Sequence, residues 1–133
     1  MKNLFKVLIS LIYLMFFSFS FPSWCEKLSG TKENLLYESS GVYYKKNTFT
    51  PFTGSINGPE RLNNFKNGKY HGSQLTKYII GKMRGKIKLR ERYKNGIKDG
   101  FFYFQAQDGK FDKLLYKNGL LVNILEFDKD GNL

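Results

Sequence analysis

Histidine, cysteine and tryptophan each occur once in the 133 residues, and carboxylates are half as numerous as cations, 11 Asp and Glu against 22 Lys and Arg. Each shortage removes a class of chemistry. The single histidine, His71 in "KYHG", has no sequence neighbour that would make it half of an acid–base pair, and there is no second imidazole for a zinc site. It reads as an exposed hairpin side chain. No serine elbow, paired His-Glu motif, glycine-rich phosphate loop or Cys/His cluster occurs. Asp99, Asp108, Asp112, Asp128 and Asp130 are scattered without calcium-loop spacing, and "DKDGN" at 128–132 reads as a plain turn. We therefore expect no catalytic residue, no metal site and no cofactor.

The lone cysteine belongs to an N-terminal segment with its own signature. Lys2 and Lys6 precede Val7–Phe21, "VLISLIYLMFFSFSF", an apolar run the length of a signal-peptide core. A membrane-spanning helix wants about 20 apolar residues, and Pro22 closes this run first. Ser23 and Cys25 hold the small-residue positions before a cut. The expected signal peptide is residues 1–25, with cleavage after Ser20 as runner-up. Two alternatives remain open: lipid attachment at Cys25, which bulky Trp24 disfavours, and an uncleaved membrane anchor. Cleavage after Cys25 sends the chain to the periplasm or the medium without any cysteine. Export would permit a disulfide, yet none can form, so packing and backbone pairing must carry stability. The remaining 108 residues hold 20 cations against 11 carboxylates, a net charge of +9.

What the chain does hold is a repeat. "FKNGKYHG" (65–72), "YKNGIKDG" (93–100) and "YKNGLLVN" (116–123) each place Asn-Gly between strand-type residues. A type I′ turn needs positive φ at both central positions, which Asn and Gly tolerate, so Asn67-Gly68, Asn95-Gly96 and Asn118-Gly119 are expected hairpin turns. Gly81, "QDG" at 107–109 and "KDG" at 129–131 would be the returns at the opposite edge. Gly96 to Gly119 spans 23 residues and Gly68 to Gly96 spans 28, the excess falling on "IIGKMRGK". A second glycine, Gly72 or Gly100, follows each of the first two turns, as a bulge or a close approach of an aromatic ring. Asn123 takes that place in the third copy, where its tolerance of positive φ would preserve the geometry.

These copies resemble the MORN repeat (membrane occupation and recognition nexus). With Tyr or Phe ahead of Lys-Asn-Gly, they look like the bacterial exported variant often labelled antitoxin-like. The resemblance covers Phe65–Leu133 well and Val42–Ile56 more weakly, where "GVYYKKNTFTPFTGSI" looks like the degenerate first unit of exported members. It implies an all-β fold, a repetitive antiparallel β-hairpin meander forming one elongated twisted sheet, and brings no catalytic residue. The expected organisation is a polar lead or cap at 26–41, either a short turn-rich stretch or one helical turn at Lys32–Leu36, a degenerate unit at 42–64, and repeats at 65–92, 93–115 and 116–133. Sixteen Phe and Tyr in the 108 residues agree with a sheet. Tyr93, Phe101, Phe102, Tyr103, Phe104, Phe111 and Tyr116 are the expected supply for its buried face.

One stretch points to a partner. In "GKMRGKIKLRERYK" (81–94) every cation has an even number, while Met83, Ile87, Leu89 and Tyr93 hold odd positions and Glu91 is the exception. Residues two apart share a strand face. Lys86, Lys88, Arg90, Arg92 and Lys94 would thus form a ridge of cations about 6.6 Å apart, opposite an apolar face. Such a ridge either keeps the edge soluble or meets an anionic surface, to which each cation contributes about 1 kcal/mol at low salt. Export favours anionic membrane or envelope surfaces and acidic proteins over nucleic acid. Without tryptophan beyond Trp24, deep membrane insertion is not expected. Two functions follow: a non-enzymatic binding or scaffold protein contacting a protein or anionic envelope surface, and an antitoxin- or immunity-like module that binds a toxic partner. Pairing of C-terminal edge strands into a homodimer is a further expectation.

Overall fold

The computed structural model describes residues 25–133, so the expected signal segment lies outside the described residues apart from Cys25, which is exposed. The chain runs through β1 (Glu26–Ser29), one helical turn α1 (Lys32–Leu35), β2 (Leu36–Ser39), β3 (Val42–Lys45), β4 (Gly54–Asn57) and β5 (Arg61–Lys66). It continues through β6 (Lys69–Tyr70), β7 (Gly72–Lys77), β8 (Ile87–Lys94), β9 (Ile97–Lys98), β10 (Gly100–Gln105), β11 (Phe111–Lys117) and β12 (Leu120–Phe127). Ten strands form one sheet in the order β1-β4-β5-β7-β8-β10-β11-β12, with β6 and β9 extending the turn ends of β5 and β8. The fold is all-β, and within this sheet only β1 with β4 is parallel.

Local chemistry explains the hairpins. Asn67 and Gly68 have φ of 50° and 72°, Asn95 and Gly96 51° and 83°, Asn118 and Gly119 50° and 84°, the positive pair that a type I′ turn requires. The turns also touch one another. The turn glycine N–H of each hairpin donates to a carbonyl of the unit before it: Gly68 to Phe52 at 2.7 Å, Gly96 to Tyr70 at 2.8 Å and Gly119 to Lys98 at 2.8 Å. This bond row gives the sequence period a physical meaning, since each turn must reach the previous one. The extra length between the first two turns is taken up by the loop Tyr78–Lys86, closed by Gly85 N–H to Tyr78 O at 2.7 Å and Tyr78 N–H to Lys86 O at 3.0 Å.

The second glycines break the returning arm. Gly72 and Gly100 have φ of 76° and 106° and open β7 and β10, with a single residue between each and the end of β6 or β9. No aromatic ring approaches either: a side chain at Gly72 would meet nothing within 4 Å, and one at Gly100 would meet the Arg92 stem. Asn123 does not keep this geometry. It lacks positive φ, β12 runs unbroken through it, and the irregularity shifts to Val122, which has no partner between Leu115↔Asn123 and Tyr116↔Leu121. An L-residue pays to enter the left-handed region unless a turn compels it.

Gln74 fills the gap that the first broken arm leaves. Its buried side chain accepts the Asn64 N–H at 2.8 Å and donates to Asn64 O at 3.0 Å, standing in for a backbone partner.

The N-terminal half has a second layer. β2 and β3 form a two-stranded sheet of their own, off the main sheet, to which Tyr44 adds an isolated bridge with Pro51. Their hairpin lies on one sheet face, where Leu36 joins Phe52, Ile56 and Phe65 in the buried core and Tyr43 packs edge-on to Phe65 at 5.2 Å. The continuous sheet thus begins at β1 and β4 rather than at Val42. From that core an aromatic row continues along the same face, Phe65 to Tyr70 at 4.9 Å, Tyr70 to Tyr93 at 5.5 Å, Tyr93 to Phe102 at 5.6 Å and Phe102 to Tyr116 at 4.6 Å between ring centroids.

Candidate anionic-surface interface

β8 is the strand on which the cations stand. Ile87, Leu89, Glu91 and Tyr93 are half-buried and Lys88, Arg90, Arg92 and Lys94 exposed, a strict alternation. Glu91 sits on the aromatic face and accepts the Tyr93 hydroxyl at 3.1 Å. Burial, followed by the Glu91 charge, pushes the Tyr93 phenol above its ordinary value. Lys86 is not on the strand. Its N–H donates to Met83 O at 2.9 Å and it closes the loop before β8, so the strand carries four cations and the loop carries Lys82, Arg84 and Lys86. Among the described residues the ion pairs are Lys32–Glu33, Lys45–Glu26 and Lys110–Asp108, and none involves a cation between Lys82 and Lys94.

Register supplies what surrounds the stripe. Leu75 faces Arg90, Arg90 faces Tyr103, Tyr103 faces Lys113 and Lys113 faces Leu125, a single row across β7, β8, β10, β11 and β12. Directly paired residues point to the same side of a sheet. Arg90 and Lys113 therefore flank the Tyr103 ring, and with Ile87 and the exposed Phe101 they line a shallow groove of about 360 Å³. Ile87 reaches this face because β8 bulges: Lys77 pairs with Ile87 but Thr76 with Leu89, leaving Lys88 without an opposite residue. The Lys88 ammonium lies 5.8 Å from the centre of the Tyr78 ring. Beyond Tyr103 the rings of Phe111 and Phe127 stack at 4.6 Å, with the Lys113 ammonium 5.4 Å from the Phe127 centroid.

This corrects the aromatic assignment. Of the seven rings expected on the buried face, Phe102 is buried, and Tyr93 and Tyr116 join its row, whereas Phe101 is 58% exposed and lies with Tyr103 and Phe111 on the face of the cations. Phe104 returns to the first face but is also exposed. Four successive residues in "FFYF" cannot share one face of a strand. Phe101, Tyr103 and Lys113 were thus missed as neighbours of the stripe. The run of four rings was the signal for Phe101 and Tyr103, since alternation demands that two of them face outward, whereas Lys113 arrives only through the register of β11.

The remaining chemistry is structural. His71 Nδ1 accepts the Asn95 N–H at 3.3 Å, as Thr53 Oγ1 accepts that of Asn67 at 2.9 Å, so both side chains help seat the next turn. Lys32 donates to the hydroxyls of Tyr70 at 3.0 Å and Tyr43 at 3.3 Å. Burial opposes its charge, but the bonds and attraction of those phenols prevail and leave its pKa raised. A second cleft, of about 320 Å³ between α1 and Gly58–Arg61, balances Lys32 and Arg61 with Glu33 and Glu60 and offers no net charge. Among the described residues no three His, Cys, Asp or Glu gather as metal ligands, and no helix is long and apolar enough to cross a membrane. No protein-family model matches the chain, and no curated protein matches it.

Proposed function

We propose that this chain is an exported, non-enzymatic binding protein of the MORN-repeat type, which docks on an anionic envelope surface through the β8 face. One observation carries the reading: among the described residues seven cations from Lys82 to Lys94 stand without a carboxylate partner, and four of them share a strand face with Phe101, Tyr103 and Phe111. Unpaired cations attract phosphate-bearing headgroups, while the rings offer shallow apolar contact at headgroup level. The exposed Ile79 and Ile80 beside Lys82 and Arg84 extend the same chemistry into the loop. The three stacked Asn-Gly turns support the repeat assignment.

Vesicle sedimentation tests the reading. Protein purified from expression of the full chain should bind phosphatidylglycerol vesicles, with binding falling steeply as salt is added, because screening shortens the reach of exposed charges. Replacing Lys88, Arg90, Arg92 and Lys94 with Gln should leave the fold intact and lower the partition coefficient by roughly tenfold or more at low salt. Equal binding by both proteins, or none by the wild type at low ionic strength, overturns the surface reading. In that event an antitoxin-like protein partner becomes the better account.

A further inference from the structure

The longest exposed apolar edge of the sheet is its last strand. β12 pairs with β11 from Phe111↔Phe127 to Lys117↔Leu120 and, among the described residues, with nothing on its other side, which leaves the outward-pointing backbone groups along its eight residues open. Leu120, Leu121, Val122 and Ile124 are 72, 45, 53 and 51% exposed. Proteins ordinarily blunt such an edge by shortening it or interrupting it with lysine or proline. Leu120–Phe127 contains neither; the Val122 bulge and Glu126 are its only interruptions. The opposite edge is protected: β1 is four residues long, carries Lys27, and ties Glu26 to Lys45.

Charge and strand length together point to what covers β12. Residues 26–117 hold 19 cations against 8 carboxylates, whereas residues 118–133 hold Lys129 alone against Glu126, Asp128 and Asp130. The C-terminal edge is therefore where two copies of this basic molecule meet the least like charge, a net −2 on each segment against +11 on the rest of each. We propose that β12 is the seam of a homodimer, in which two copies pair their last strands antiparallel and merge their sheets. Laying Leu120–Phe127 of one copy against Phe127–Leu120 of the other uses the whole edge and sets the Asn118-Gly119 turn of each at the end where the Asp128–Asp130 turn of its mate begins. The apolar run of each copy then lies along that of its mate about a two-fold axis. Pairing β12 with β1 of another copy would leave half of the edge uncovered, because β1 has only four residues.

Sedimentation equilibrium of the purified protein across a wide concentration range tests this. The wild type should show a two-chain mass, and Val122→Lys/Ile124→Lys, which places two charges at exposed edge positions, a one-chain mass with an unchanged circular-dichroism spectrum. A wild type that stays at one chain throughout, a mass above two chains, or a folded double variant that still dimerises overturns the proposal. Should the double variant not fold, Ile124→Gln replaces it and must weaken dimerisation by roughly tenfold; an unchanged dissociation constant then sinks the seam.

Discussion

Gly68 and Gly96 occupy equivalent turns but meet different surroundings. Both have positive φ, 72° and 83°, so any L side chain pays about 1–2 kcal/mol for the left-handed backbone. A β-carbon at Gly96 would lie 3.5 Å from the flexible Lys69 side chain, which is ordinary contact. At Gly68 it would press on Val42 and come within 2.7 Å of the Tyr43 carbonyl, where the β2–β3 hairpin is docked and its Tyr43 N–H donates to Gly68 O at 2.7 Å. Gly96→Val should therefore destabilise by more than about 1 kcal/mol through conformation alone, and Gly68→Val by clearly more. Urea denaturation would show the order, and equal losses at the two sites would mean that the first turn does not carry the N-terminal hairpin.

Besides the backbone bonds of Tyr43 to Gly68 and Phe52, rings and one cation hold the β2–β3 layer to the sheet. Tyr43 packs on Phe65 and Tyr70, and Lys32 from α1 bonds to the hydroxyls of both Tyr43 and Tyr70 while its ammonium lies 4.9 Å from the Tyr43 centroid. Burial, then the Glu38 side chain, pushes the Tyr43 phenol up to about 12, and Tyr93 is raised as well. A raised folded pKa contributes stability that is complete below the unfolded value of 10.0 and is lost as pH climbs through the folded one. Thermal stability should hold to about pH 9 and decline between about pH 10 and 12, as the unfolded chain releases protons that the folded one retains. Tyr43→Phe/Tyr93→Phe should flatten that decline. An unchanged slope in the variant would show that neither phenol is protected by the fold.

Across the molecule stability is graded along the sheet. Leu36, Phe52, Ile56 and Phe65 form a two-layer core at the N-terminal end, whereas β11 and β12 contribute no fully buried side chain and end on the open edge. Local opening follows buried contact. Hydrogen exchange at high dilution should leave β4 and β5 protected longest and release β12 first, with protection of β12 growing as concentration drives edge pairing. Uniform protection at every concentration would contradict both the gradient and the seam. The same arrangement separates two surfaces, a cationic face amid the sheet and a weakly acidic edge at its end, so surface docking and self-association need not compete.

The hairpins and the face alternation of β8 from Leu89 to Lys94 were legible in the residues because both are local: Asn-Gly tolerates positive φ, and an unbulged strand alternates with period two whatever it packs against. The all-β class followed from repeating them. Tertiary structure decided what depends on partners far along the chain. Whether Val42–Lys45 joins the sheet or leaves it turns on how Tyr43 meets Phe65 and Tyr70, and the parallel placement of β1 rests on pairing with a strand 28 residues later, Glu26 with Gly54. Gln74 entering the β5–β7 ladder could not be foreseen, since only the gap beside Gly72 gives its amide a use. The company of Arg90 is of the same kind. Its own face follows from its number, but Tyr103 and Lys113 reach it only through the register of β8 against β10 and of β10 against β11, which inter-strand bonding and the β8 bulge determine together.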